Sequence, residues 1–93
     1  MSIDSNAVIA QTPGCLAAEM GEELVIMSPQ RGLYLSLDPI GRHIWSMLAA
    51  PCTLAALCDR LCTDYAGART TIEADVVALL DTLRDAGAIE IRA

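Results

Sequence analysis

The sequence predicts an α+β domain in which a three-stranded antiparallel sheet is followed by three helices, the outline of a winged helix-turn-helix. Three observations carry this. Between Arg31 and Trp45 the apolar pattern changes its period: Leu33, Leu35 and Leu37 alternate with Tyr34 and Ser36, then Ile40, Ile44, Met47 and Leu48 recur at helical spacing. A period of two suits a half-buried strand, and the later spacing suits an amphipathic helix. Upstream, two more short apolar runs are separated by brief turns. Downstream, two further periodic stretches each open on a Thr and close on a Gly.

Residues 1–13 are polar and unpatterned apart from Val8–Ala10, and Pro13-Gly14 marks a turn. They are expected to form a flexible arm, leaving 14–93 as the folded domain. Cys15–Met20 and Glu23–Met27 read as strands joined by a tight turn at Gly21-Glu22. Ser28–Gly32 reads as a second turn and Leu33–Leu37 as the third strand. Such brief connections make an antiparallel meander. Asp38 then offers an N-cap oxygen, and Pro39 takes the first helical position, where a missing N–H costs nothing.

The first helix is expected over Pro39–Ala49, stopped near Pro51. The second is capped by Thr53 and runs to about Tyr65, with Leu54, Leu57, Cys58, Leu61 and Tyr65 on its apolar face; Gly67 follows in a loop. The third begins at Thr70, with Glu73 completing a capping box. It runs to about Ala86, with Gly87 where a C-cap glycine belongs. Ala88–Ile91 reads as a short last strand. On the third helix Ile72, Val76, Leu79, Leu83 and Ala86 form a core stripe, while Val77 and Leu80 lie on a flank shared with Glu73 and Arg84. Two readings fit that flank: a wider buried face, or the wall of a groove beside the sheet.

Composition narrows the function. The 93 residues are 54% hydrophobic and 19% charged, enough for one domain with a modest core and unlike a disordered tail. No run reaches the roughly 18 apolar residues of a membrane span. The N-terminus has no basic flank and apolar block, so a soluble cytoplasmic protein is expected. The net charge is −6, and the six cationic side chains are all Arg, at 31, 42, 60, 69, 84 and 92. Nucleic-acid binding rests on neutralising phosphates, which argues against DNA or RNA as a partner.

No catalytic order of Ser, His and Asp, no phosphate loop and no glycine fingerprint is present. His43 flanks the apolar face of the first helix, where packing or a surface role outweighs catalysis. Asp38 reads as a cap, and Asp75, Asp81 and Asp85 as acids solvating a helix face. Trp45, one turn after Gly41, reads as packing. Cys58 and Cys62 share a helical face with Leu54, Leu57 and Leu61. A metal reading would recruit Cys52 and His43, but no CxxC pair exists, and free cysteines are commonly buried small hydrophobes. The chain therefore reads as a binding module without cofactor or metal. The third strand, with no Pro or charge between Leu33 and Leu37, could accept an extended peptide by strand addition if it lies at a sheet edge.

The run GLYLSLDPIGRHIW, a helix ending in LCTDY, and EADVVALLDTLRDAGAIEI together resemble the PqqD-like peptide-recognition proteins (RiPP recognition elements) of bacterial ribosomal-peptide pathways. Gly32, Tyr34, Leu37, Asp38, Gly41, Ile44, Trp45, Asp75, Leu79, Leu80, Leu83 and Gly87 fit the family pattern, over about residues 15–91. Trp45 looks most like the stand-alone members from lasso-peptide clusters. Asp38 replaces the commoner Asn, and the cysteines lie outside the pattern. The resemblance implies a non-catalytic protein that binds the leader segment of a precursor peptide as an added strand. It would present that leader to a transglutaminase-like leader peptidase and a lasso cyclase.

On that resemblance Leu33, Tyr34, Leu35 and Ser36 would supply backbone pairing, and Val76, Val77, Leu80, Leu83 and Arg84 would line a cleft between the third strand and the third helix. Two other functions share the outline: a PqqD-type chaperone serving a radical-SAM maturase, and a transcription regulator, which the charge disfavours. With the cleft drawn so, Leu80→Asp is expected to weaken leader binding, read by titration, without unfolding the domain.

Overall fold

In the computed structural model, residues 3–29 and 31–92 are described. The expected meander is present. Strands β2 (Leu16–Met20), β3 (Glu23–Ser28) and β4 (Leu33–Leu37) pair antiparallel in that order, with Ile26 opposite Ala17 on one side and Leu35 on the other. The alternation works as a strand period should. Leu24, Ile26, Ser28 and Leu37 are buried beneath the sheet, while Leu16, Met20 and Tyr34 stand exposed on its outer face. Three helices follow, α1 (Pro39–Met47), α2 (Leu54–Asp64) and α3 (Arg69–Asp85). No helix among the described residues is long and apolar enough to cross a membrane.

A second sheet was not legible in the sequence. Strand β1 (Val8–Gln11) lies between β5 (Cys52–Thr53) and β6 (Ile89–Arg92), with Ile9 opposite both Cys52 and Ile91. The expected flexible arm over residues 1–13 is thereby corrected. Met1 and Ser2 lie outside the described residues, but Ile3, Ala7, Ile9 and Ala10 are core, Ile9 being 0% exposed. The segment orders because it satisfies groups that would otherwise lack partners. Ala7 and Ser5 carbonyls accept the N–H groups of Leu54 and Ala55 at 3.2 and 3.0 Å, where the first turn of α2 has no internal acceptor. Thr12 N–H donates to the Ala88 carbonyl at 2.9 Å, and the Gln11 side-chain amide donates to the Trp45 carbonyl at 2.8 Å.

Helix ends follow the sequence in part. Thr53 Oγ1 accepts the Ala56 N–H at 3.1 Å, the expected cap of α2. The capping box at Thr70 and Glu73 does not form. The helix starts earlier, its N-cap is Ala68 without a side-chain hydrogen bond, and Ile72 N–H already donates to the Ala68 carbonyl at 3.1 Å. At the other end Gly87 has φ +77°, and a Cβ there would lie 3.1 Å from Ser28 Oγ. Glycine meets both demands, the left-handed turn and the close approach of β3.

Because β1 is the central strand of its sheet, Ile9→Ala should lower the unfolding free energy by about 2–5 kcal/mol. Urea denaturation followed by circular dichroism checks this, and an unchanged midpoint would restore the flexible arm.

Candidate functional site

Strand β4 is the edge of its sheet: β3 pairs along one side, and no strand pairs along the other among the described residues. In an antiparallel strand, successive residues turn their N–H and C=O groups alternately to the two neighbours, so every second residue of β4 offers a backbone pair outward. No Pro or charged residue interrupts Leu33–Leu37. Tyr34 is 70% exposed, Ser36 is exposed with Oγ donating to Glu23 Oε2 at 2.7 Å, and Leu35 is half-buried opposite Ile26.

The edge runs directly into helix α1 through a tight junction. Asp38 Oδ1 accepts the Gly41 N–H at 2.7 Å, with Pro39 in the first turn. A Cβ on Gly41 would sit 3.2 Å from Leu37 Cβ and 3.2 Å from Asp38 Oδ1. The glycine therefore lets the helix close onto the strand that precedes it.

A pocket of about 470 Å³ opens beside this junction. Ile40, Gly41 and Ile44 of α1 form one wall, Leu61 and Tyr65 lie at the end of α2, and Ile72, Val76 and Leu79 of α3 form the other wall. Asp38, Thr71 and Asp75 add polar atoms to this apolar lining. Its size and composition fall in the range of built ligand sites. His43 Nε2 lies 3.0 Å from Asp64 Oδ2 and its ring meets Tyr65 edge-on at 5.8 Å, so the end of α2 is tied to α1 at this side. His43 braces a wall of the pocket.

The residues expected to line a cleft on α3 are divided by the structure. Val76 lines the pocket as a nearly fully buried wall residue. Val77 is half-buried on a different side, with Thr70, Glu73 and Ala74. Leu80 and Leu83 are both 0% exposed and belong to the core, so neither lines an open cleft. Arg84 pairs with Asp81 at 3.1 Å and Asp85 at 3.9 Å. The correction has a simple cause. Helix α3 packs on α2 and β6, and Val76, Leu80 and Leu83, at i, i+4 and i+7, are the face turned to them. Ile72 and Leu79, expected in the core stripe, are the half-buried side chains on the pocket.

The expectation that Leu80→Asp would spare the fold falls with this placement, since the substitution buries a carboxylate in the core. Asp75 is exposed, as expected, and also borders the pocket, while Ile40 and Tyr65 were not singled out as site residues at all. The spacing Ile72, Asp75, Val76, Leu79 was visible, but a helical stripe does not say what it faces.

Three of the four cysteines take packing positions. Cys58 is buried in the core, and Cys15 and Cys52 are half-buried against it. Burial pushes the thiols of all three above the ordinary value, which keeps them protonated and poor as nucleophiles or ligands. Among the described residues no group of three or more His, Cys, Asp or Glu could hold a metal ion.

The profile of the family described as coenzyme PQQ synthesis protein D (PqqD) matches residues 23–89, from the start of β3 to the start of β6. Two solved structures share the fold. One is TbiB1 in complex with the TbiA(beta) leader peptide, 28% identical, with a TM-score of 0.77 over 87% of this chain and 94% of that one. The other is a lasso peptide synthetase B1 complexed with the leader peptide, 23% identical, with a TM-score of 0.74 over 88% and 96%. No curated protein sequence matches significantly. With the meander, the three helices and the family profile spanning most of the domain, the chain belongs to the PqqD family.

Proposed function

We propose that this protein is a non-catalytic recognition module that binds the leader segment of a ribosomally made precursor, a lasso-peptide precursor, as an added strand on β4. The observation that carries it is the unpaired edge of β4 running into an apolar pocket. Such an edge supplies affinity through main-chain hydrogen bonds, and the pocket supplies specificity through side chains. The leader complexes of structurally similar proteins support it. Tyr34, Leu35, Ser36 and the backbone of Leu33 pair with the leader. Ile40, Tyr65, Ile72, Val76 and Leu79 receive an apolar leader side chain.

The module works in the cytoplasm, where its thiols stay reduced, and delivers the bound leader to a leader peptidase and a cyclase. The PqqD profile supports a second reading, in which the same groove serves a radical-SAM maturase. Which enzyme binds the leader-loaded module, a leader peptidase and cyclase or a radical-SAM maturase, distinguishes the two in a pull-down.

The labelled leader of the precursor encoded beside this chain should bind at micromolar concentration or below, about −8 kcal/mol or better, in a fluorescence-polarisation titration. Absence of binding would sink the proposal. Leu79→Asp, with its side chain on the pocket wall, should weaken that affinity about tenfold or more while keeping a cooperative thermal transition at a moderately lowered melting temperature. Leu80→Asp should instead abolish the cooperative thermal transition, because its carboxylate has no solvent or partner.

A further inference from the structure

The pocket beside β4 is apolar except at its mouth, and the charge there has one sign. Its two ionised side chains are the carboxylates of Asp38 and Asp75. Asp38 has one oxygen engaged by the Gly41 N–H. Asp75 makes no ion pair or side-chain hydrogen bond among the described residues, whereas Asp59, Asp64, Asp81 and Asp85 each face a cation or imidazole. The arginines of α1 and α3 form ion pairs with other acids. Arg42 pairs with Glu19, Arg69 with Asp59 and Glu73, and Arg84 with Asp81. The chain as a whole carries −6, so the long-range field reinforces the local one.

We propose that this pocket selects a leader segment whose bulky apolar side chain is followed or preceded, two residues away, by Lys or Arg. This rests on the leader-binding reading above and names the sequence chemistry of the ligand. In an added strand, residues i and i+2 lie on the same face about 7 Å apart. A cationic side chain at that spacing reaches the pocket mouth while its neighbour fills the pocket. The apolar stem of the cation covers Ile40, which is 52% exposed, and its head meets Asp75 and the free oxygen of Asp38. An acidic residue at the same position meets two carboxylates and an acidic surface. The carboxylates thus act in specificity more than in affinity, which the pocket and the strand edge supply.

The test uses the full chain and a phage-displayed library of random linear peptides, panned in parallel on the native protein and on Asp38→Asn/Asp75→Asn. Asn retains the helix cap, so the double variant loses charge without losing its N-cap. The native chain is expected to enrich peptides with Lys or Arg two residues away from a large apolar residue. The double variant should keep the apolar preference and lose the basic one. A fluorescein-labelled peptide from the native selection should bind the double variant about two- to fivefold more weakly at low salt, and the difference should vanish as salt is raised.

Enriched peptides with the apolar residue but no basic bias, or identical selections by both proteins, overturn this inference and leave the leader-binding reading intact. Failure of the native chain to enrich any peptide overturns both.

Discussion

The close approach of helix α1 to strand β4 is the constraint on which the site depends. Gly41 sits where any side chain would press on Leu37 and on the capping carboxylate of Asp38. That contact sets the angle at which the chain leaves the sheet. It leaves the outer side of β4 unobstructed and places Ile40 and Ile44 opposite α3, so that a pocket opens at the end of the strand. Strand edge and pocket are therefore one site because one junction makes both. A wider approach would separate the backbone contacts from the side chain they align.

A second constraint holds this arrangement rigid from behind. The N-terminal segment is a clasp: β1 joins the last strand of the chain to the entry of α2, and its carbonyls take the first N–H groups of that helix. Gly87, at the end of α3, lies against Ser28 of β3, whose Oγ donates to the Gly87 carbonyl at 3.3 Å. The two ends of α3 are thus fixed to both sheets, directly at Gly87 and through α2 at the other end. A wall so held can receive a ligand side chain without the ordering cost that a mobile helix would add.

Polar groups in this domain divide by task. Ser28 Oγ and the Thr12 N–H donate to backbone carbonyls, and Arg42, Arg69, Arg84 and Arg92 form surface ion pairs that contribute little to stability. At the pocket, the charged side chains are the acids Asp38 and Asp75, and neither forms an ion pair among the described residues. The exposed large apolar side chains are Leu16, Met20 and Tyr34 on the outer face of the sheet, and Ile40 and Tyr65 at the pocket.

The local elements were readable in the residues because each has a local cause. The alternation Leu33–Leu37, the Asp38-Pro39 start of α1 and the Thr53 cap act within a few residues of themselves, and they are found in the structure where the sequence places them. The edge of β4 was legible as an unprotected strand, and the family pattern pointed to peptide binding there. The second sheet and the lining of the pocket were not legible, because both are made by long-range contact. Val8–Ala10 is too short to announce a strand whose partners lie more than forty residues away, at Cys52 and Ile91. On α3, Ile72 and Leu79 carry the same apolar pattern as Leu80 and Leu83. Which pair faces the pocket and which the core is decided by where α2 and β6 pack. Sequence determines that a helix has an apolar face; tertiary packing decides which part of that face remains for a ligand, because burial depends on the neighbour and not on the residue.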